Sequence, residues 1–254
     1  MTPLDPPAPR ADWAYFFDID GTLSVLAPTP SSARLAPQVR ERLEALRARC
    51  DGAVAVVSGR SLGDIDAICE GLRLPAAGEN GAARRTADGR VVHLPVRRGQ
   101  LDLALPALQR LVERNPRLLL EDKGHSLALH YRAVPAMAGV AHRTMLQLQR
   151  RFGSDFVVQN GKRVVELLPA GTDKGKAIRL FLEEPPFRGR LPVFVGDDVS
   201  DEPAFGAVNA LGGHSVKVGA GPTIAHWRLA GVGAVRRWMA LGDGSEPVTG
   251  REPW

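Results

Sequence analysis

The chain has 254 residues, enough for one large domain or two modest ones, and 44% hydrophobic with 24% charged residues is the balance of an ordinary globular fold. It has no run of eighteen apolar residues, its Pro- and acid-containing start lacks a signal-peptide pattern, and Cys50 and Cys69 are too few for a disulfide framework, so a membrane span, export and an oxidising compartment are not expected and a cytoplasmic setting is. A net charge of +5 points toward anions, but lysine supplies only 5 of the 33 basic residues and the arginines are scattered, in pairs at most, which argues for small anionic substrates over nucleic acid.

Residues 1–11 are Pro-rich and are expected to be disordered, as is the tail 242–254. "AYFF" reads as a buried strand. A helix follows over 36–49, with Leu35, Val39, Leu43 and Leu46 at helical spacing. "AVAVVSG" is a second buried strand, and Ile65, Ile68 and Leu72 mark the next helix. Alternation of this kind predicts a parallel sheet flanked by helices.

The pattern then changes. "RRTADGRVVHL" reads as a hairpin turning at Asp88-Gly89, and Leu101, Leu105, Leu108 and Val112 mark a helix. The strands "RLLLED" and "SLALHYR", a helix near 136–151, and the strands "FVVQ" and "RVVELL" complete the segment. Antiparallel pairs mixed with helices suggest an inserted α+β domain over 86–170. After Gly171 the first pattern returns: a helix at 173–183, the strands "PVFVG" and "SVKVG", and a helix near 232–241. The expected fold is therefore a doubly wound, Rossmann-like α/β core from 12–85 and 171–241, interrupted by a second domain.

Four polar clusters follow apolar strands or open a helix: Asp18 with Asp20, Ser58 with Gly59, Lys174, and Asp197, Asp198 and Asp201 in "GDDVSDE". Parallel sheets place ligand groups at such strand ends. Two neighbouring buried carboxylates repel, and a cation offsets that repulsion. Mg²⁺ takes hard oxygen ligands, which Asp18 and Asp197 can supply. An ionised Asp18 is a nucleophile that needs no activating base, and Lys174 with the metal would offset the charge of a phosphoryl group. Asp20 can protonate a leaving oxygen and later deprotonate water, while Ser58 can bond a phosphate oxygen.

"DIDGTL", "SGR", Lys174 in "DKG" and "GDDVSDE" resemble the four ordered motifs of the haloacid-dehalogenase-like phosphohydrolases. That resemblance implies an Asp18 phosphoenzyme, with Mg²⁺ held by Asp18, the backbone carbonyl of Asp20, and Asp197. It also puts Asp198 and Asp201 in support of Lys174 and the metal site, and makes the inserted segment a cap. "LEDKGHSLALHYR", "VVELLPAGTDKG", "GDDVSDEPAF" and "WRLAGV" further resemble the trehalose-6-phosphate phosphatase family, from Trp13 to about Trp238. By that likeness Glu121, Lys123 and Glu166 grip the distal sugar, His130 stands nearby, and Gly59 and Arg60 flank the substrate. "GENGA" departs from the bacterial relatives, which carry His where this chain has Asn80, and that loop is given no role. The alternatives are a phosphatase for sucrose 6-phosphate or glucosyl-glycerate phosphate, a phospho-accepting signalling module, or a non-catalytic sugar-phosphate sensor. A second acid two residues after the nucleophile and an inserted cap count against the signalling module. The sequence does not specify an oligomeric state.

Overall fold

The computed structural model describes residues 5–27, 32–94 and 98–241. In the amino-terminal part, β1 (Trp13–Phe17), α1 (Pro37–Arg49), β2 (Val54–Val57), α2 (Leu62–Cys69), β3 (Ala76–Gly78), β4 (Ala83–Arg85) and β5 (Val91–His93) follow in order. After the middle segment come α5 (Lys174–Leu182), β10 (Leu191–Gly196), α6 (Glu202–Ala210), β11 (His214–Val218), β12 (Trp227–Leu229) and α7 (Val232–Ala240). Their strands form one eight-stranded sheet in the order β12-β11-β10-β1-β2-β3-β4-β5. Pairing is parallel from β12 through β3 and antiparallel for β4 and β5.

The apolar runs explain the layering. Every residue of β1 and β2 is buried, as a parallel strand covered on both faces requires. Val39, Leu43 and Leu46 of α1 and Ala177, Ile178 and Phe181 of α5 face one continuous core with these strands. Side chains start the helices: Ser61 accepts from the Asp64 amide at 3.1 Å, and Asp173 from the Lys176 amide at 2.7 Å. The second cap matters for position, because it sets the helix that begins with Lys174.

The middle segment consists of α3 (Arg98–Arg114), β6 (Leu119–Asp122), β7 (Leu127–His130), α4 (Ala138–Phe152), β8 (Phe156–Gly161) and β9 (Val164–Pro169). Its four strands make an antiparallel sheet in the order β6-β7-β9-β8. Leu101, Leu108, Met145 and Leu167 belong to a hydrophobic cluster separate from that of the large sheet. The α/β core with its α+β insertion is the expected architecture.

Three details differ from expectation. The hairpin strand β5, assigned by its position to the inserted domain, instead extends the large sheet. Arg84 and Arg85 explain this: forked bonds to Glu184 in the turn after α5 (3.0 and 2.8 Å) and to Asp66 on α2 (2.8 and 2.6 Å) tie β4 to the core, and β5 follows β4 in register. Residues 5–11 are not a free tail, because the Pro7 carbonyl accepts from Trp238 Nε1 at 2.8 Å and the Arg10 amide donates to the Tyr15 hydroxyl at 2.7 Å. Helix α6 and the short strands β3 and β12 were not anticipated, the strands because three residues carry no readable periodicity. The tail 242–254 and residues 1–4 lie outside the described residues.

Candidate active site

Asp18 follows β1, Ser58 follows β2, Asp197 follows β10 and Lys174 opens α5. Because β1 lies between β2 and β10, these strand ends meet over the middle of the sheet. Lys174 Nζ lies 2.8 Å from Asp18 Oδ1 and 2.6 Å from Asp201 Oδ1. Asp201 Oδ2 in turn accepts from the amides of Asp197 at 2.8 Å and Asp198 at 2.9 Å. Both Asp201 oxygens are thereby engaged, and its work is to hold Lys174 and the turn that carries Asp197. The buried Lys217, on β11, donates to the Asp197 carbonyl and fixes the same turn from behind.

The electrostatics call for a cation. Burial pushes the Asp18 carboxyl up to about 8, with Lys174 opposing and Asp201, Asp197 and Asp20 reinforcing the rise. Burial likewise raises Asp197 to about 6, against the pull of Lys162. Lys174 stays above its usual range despite burial, because Asp18 and Asp201 flank it. One oxygen each of Asp18, Asp197 and Asp201 lies within 4.8 Å of the others. Asp197 Oδ1, buried, finds no hydrogen-bond partner among the described residues. Gly21, at φ +84°, leaves room for this carboxylate: a Cβ there would stand 1.9 Å from Asp197 Oδ2. Hard oxygen donors, one of them unpartnered, fit a divalent cation.

Asp20 is held differently. Arg60 grips it with both arms of its guanidinium, at 2.6 and 2.7 Å. Arg60 was expected beside the substrate; it does line the pocket, but its fork is directed at Asp20. Ser58 is buried and also lines the pocket.

The inserted domain closes the other side. Lys123, in the turn between β6 and β7, donates to Glu166 Oε1 and to the Gly59 carbonyl of the core, both at 2.8 Å. Ser126 adds a bond to the same Glu166 oxygen at 2.6 Å. Glu121 Oε2 accepts from His130 Nε2 at 2.8 Å, in a ring state that carries a proton on Nε2. Although partial burial of Glu121 works the other way, His130 and Lys123 hold it below the ordinary glutamate range. One cavity of about 340 Å³ runs from Asp18, Lys174 and Asp197 to Glu121, Lys123 and Glu166, with Gly59, Arg60, His130 and Asp198 also on its wall. Thus the expected residues converge, save that Asp201 lies behind the wall.

Sequence reasoning missed Lys162, Lys217 and Ser126. The signal was in the composition: four of the five lysines of this arginine-rich chain, Lys123, Lys162, Lys174 and Lys217, contact the site. A compact ammonium fits between closely spaced oxygens where a planar guanidinium does not.

A doubly wound sheet with an aspartate pair, a serine, a lysine and a second acidic turn at its strand ends defines a haloacid-dehalogenase-like phosphohydrolase. The family model for trehalose-phosphatase matches residues 16–232, and the chain belongs to that family. It is 43% identical over 237 residues to a trehalose-6-phosphate phosphatase of Escherichia coli (strain K12), covering 92% of this chain and 88% of that one. It is 40% identical over 208 residues to a probable trehalose-phosphate phosphatase of Sinorhizobium fredii, covering 82% and 78%. The fold matches the C-terminal domain of a Candida albicans trehalose-6-phosphate phosphatase with a TM-score of 0.82 at 20% identity, covering 91% of this chain and 92% of that one. Among the described residues no helix is long and apolar enough to cross a membrane.

Proposed function

We propose that the chain hydrolyses trehalose 6-phosphate to trehalose and inorganic phosphate, with Mg²⁺, through an aspartyl phosphate on Asp18. The observation that carries this reading is the single cavity joining the Asp18–Lys174 pair to the Glu121, Lys123 and Glu166 group. One end suits a phosphoryl group and the other suits sugar hydroxyls, which both donate and accept. The domain boundaries proposed are a core of 12–94 and 171–241 and a cap of 98–170.

An Asp18 oxygen attacks phosphorus while the bond from phosphorus to the sugar oxygen breaks, and Asp20 gives that oxygen its proton. Asp20 then takes a proton from water as the water oxygen attacks the same phosphorus. The bond from phosphorus to Asp18 breaks, the carboxylate is restored and phosphate leaves. Arg60 orients Asp20 for both steps. Asp18, the Asp20 carbonyl and Asp197 would hold Mg²⁺, which would supply positive charge to let an anion approach a phosphate dianion. Lys174, fixed by Asp201, supplies charge to the same phosphoryl group, and Ser58 bonds one of its oxygens. Glu121, Lys123 and Glu166 orient the distal sugar, with His130 setting the rotamer of Glu121.

Phosphate release from trehalose 6-phosphate, sucrose 6-phosphate and glucosyl-glycerate phosphate, each with Mg²⁺ and with EDTA, tests the reading. Metal-dependent release from the first, with the others much slower, is expected. Equal rates on all three would defeat the substrate, and equal rates with EDTA the metal. A cytoplasmic setting is proposed, in keeping with Cys50 and Cys69 as free, buried thiols.

A further inference from the structure

Lys162 sits in the tight turn between β8 and β9, a part of the cap that meets the core's acidic turn. Its ammonium pairs with Asp197 Oδ2, and its backbone amide donates to Asp198 Oδ2 at 2.9 Å. The approach is close: a Cβ on the preceding Gly161 would come within 3.4 Å of Asp198 Oδ2 and 2.9 Å of a Val164 methyl. Arg163 completes the turn at φ +65°. Lys162 is 41% exposed along its side chain whereas Asp197 is 3% exposed, so the lysine arrives from solvent onto a carboxylate fixed in the core. Asp197 is also the carboxylate whose other oxygen is unpartnered among the described residues and which the metal reading needs. An ammonium on one oxygen of a carboxylate repels a divalent ion on the other. At Asp18 the Lys174 charge is shared with a second carboxylate, Asp201, whereas the Lys162 ammonium pairs, among the described residues, with Asp197 alone.

We propose that Lys162 and the divalent ion are alternative counter-ions of Asp197, so that filling the metal site unseats the cap turn and seating the turn weakens metal binding. Lys162 is on this account a positioning residue that links the cap to the metal site. The composition agrees, since Lys162 is one of four site lysines in a chain that otherwise uses arginine. Glu166 stands on β9, the strand that leaves this turn, so release of the turn is felt by the sugar-binding wall.

The inference rests on the metal reading above, and the experiment separates the two. Mn²⁺ is titrated into the full chain without substrate and free ion is followed by electron paramagnetic resonance. Lys162→Ala and Lys162→Gln should each bind Mn²⁺ about fivefold more tightly than the unchanged chain, the scale of a half-exposed ion pair. Lys162→Arg, which keeps the charge, should bind as the unchanged chain does. A lysine that merely supports the fold would weaken metal binding when removed, not strengthen it. Unchanged or weaker binding in the Ala and Gln variants overturns the proposal while leaving the metal intact. If the unchanged chain binds no Mn²⁺, both readings fall together. Hydrogen exchange gives a second readout: the 159–164 segment should lose protection on Mn²⁺ addition, and no change there also overturns the linkage.

Discussion

Lys174 and Lys123 are both buried ammonium groups with two oxygen acceptors each, at 2.6 to 2.8 Å. The difference lies in what those acceptors belong to. Asp18 and Asp201 stand on the same sheet and helices as Lys174, so the core presents that charge at the same place whatever the cap does. Glu166 stands on the cap with Lys123, but the Gly59 carbonyl stands on the core. Lys123 is thus set partly by its own domain and partly by docking. On the proposed function, a phosphoryl centre built within one domain and a sugar grip completed across two would suit an enzyme that must do fixed chemistry but also admit its substrate.

The most severe way to break that comparison is at the core. Asp18→Asn should lower turnover by at least about 10⁴-fold on both trehalose 6-phosphate and p-nitrophenyl phosphate, because an amide is a poor nucleophile. Residual activity near the parent's would remove Asp18 from the reaction. Lys174→Met should cost about 10³-fold on both substrates. It should also lower the melting temperature, since breaking a buried ion pair costs about 3–5 kcal/mol. Loss on the disaccharide alone would mean that Lys174 serves the sugar, and the two lysines would not differ in the way described.

The core was the more legible half of the sequence, for the same physical reason. A parallel strand buried on both faces reads as an unbroken apolar run, and a charged residue just past it stands out, as Asp18 does after "AYFF" and Asp197 after "PVFVG". Cap contacts leave no such trace. Lys162 follows Asn160-Gly161 in what reads as an ordinary turn, and only the docking of the two domains brings it to Asp197. Arg60 shows a related limit: its proximity to the site was readable from "SGR", but its forked bond to Asp20 depends on how two strand ends lie side by side. The hairpin strand β5 joins the large sheet, which its residues do not reveal because a hairpin has the same pattern whichever sheet it joins. Ion pairs of Arg84 and Arg85 with acids at the surface, invisible in the pattern, tie the preceding strand to the core.

At the cap, Glu166→Ala should lower kcat/KM for trehalose 6-phosphate by about 10²-fold, the effect of losing charged hydrogen bonds in a closed site. Turnover of p-nitrophenyl phosphate, which has no sugar to hold, should change little. That split would sharpen the contrast between a shared phosphoryl centre and a dedicated sugar grip. Equal loss on both esters, with a lower melting temperature, would instead make Glu166 a structural anchor for Lys123.

The smallest effect is predicted where the two regions meet. Glu79, on the core, lies buried with its Oε2 3.3 Å from Nδ1 of His125 on the cap, and the His125 ring stacks on His93 at 4.9 Å. Burial raises the Glu79 carboxyl from 4.5 to about 7, with Lys123 pulling it down and Glu166 pushing it up. Between those two values the folded chain holds a proton that the unfolded chain has released. Stability contributed by this group is therefore present below about pH 4.5 and declines as pH rises through 7. Glu79→Gln, neutral at every pH, escapes that decline. The variant should match the parent near pH 4.5 and exceed it by about 3 kcal/mol at pH 8 in denaturant unfolding. A parent that is instead favoured at pH 8 would mean that ionised Glu79 is a net attraction between core and cap, with His125 as its charged partner. The junction would then resemble the Lys174 pair more than the Lys123 bridge, and the distinction between a fixed centre and a docked grip would narrow.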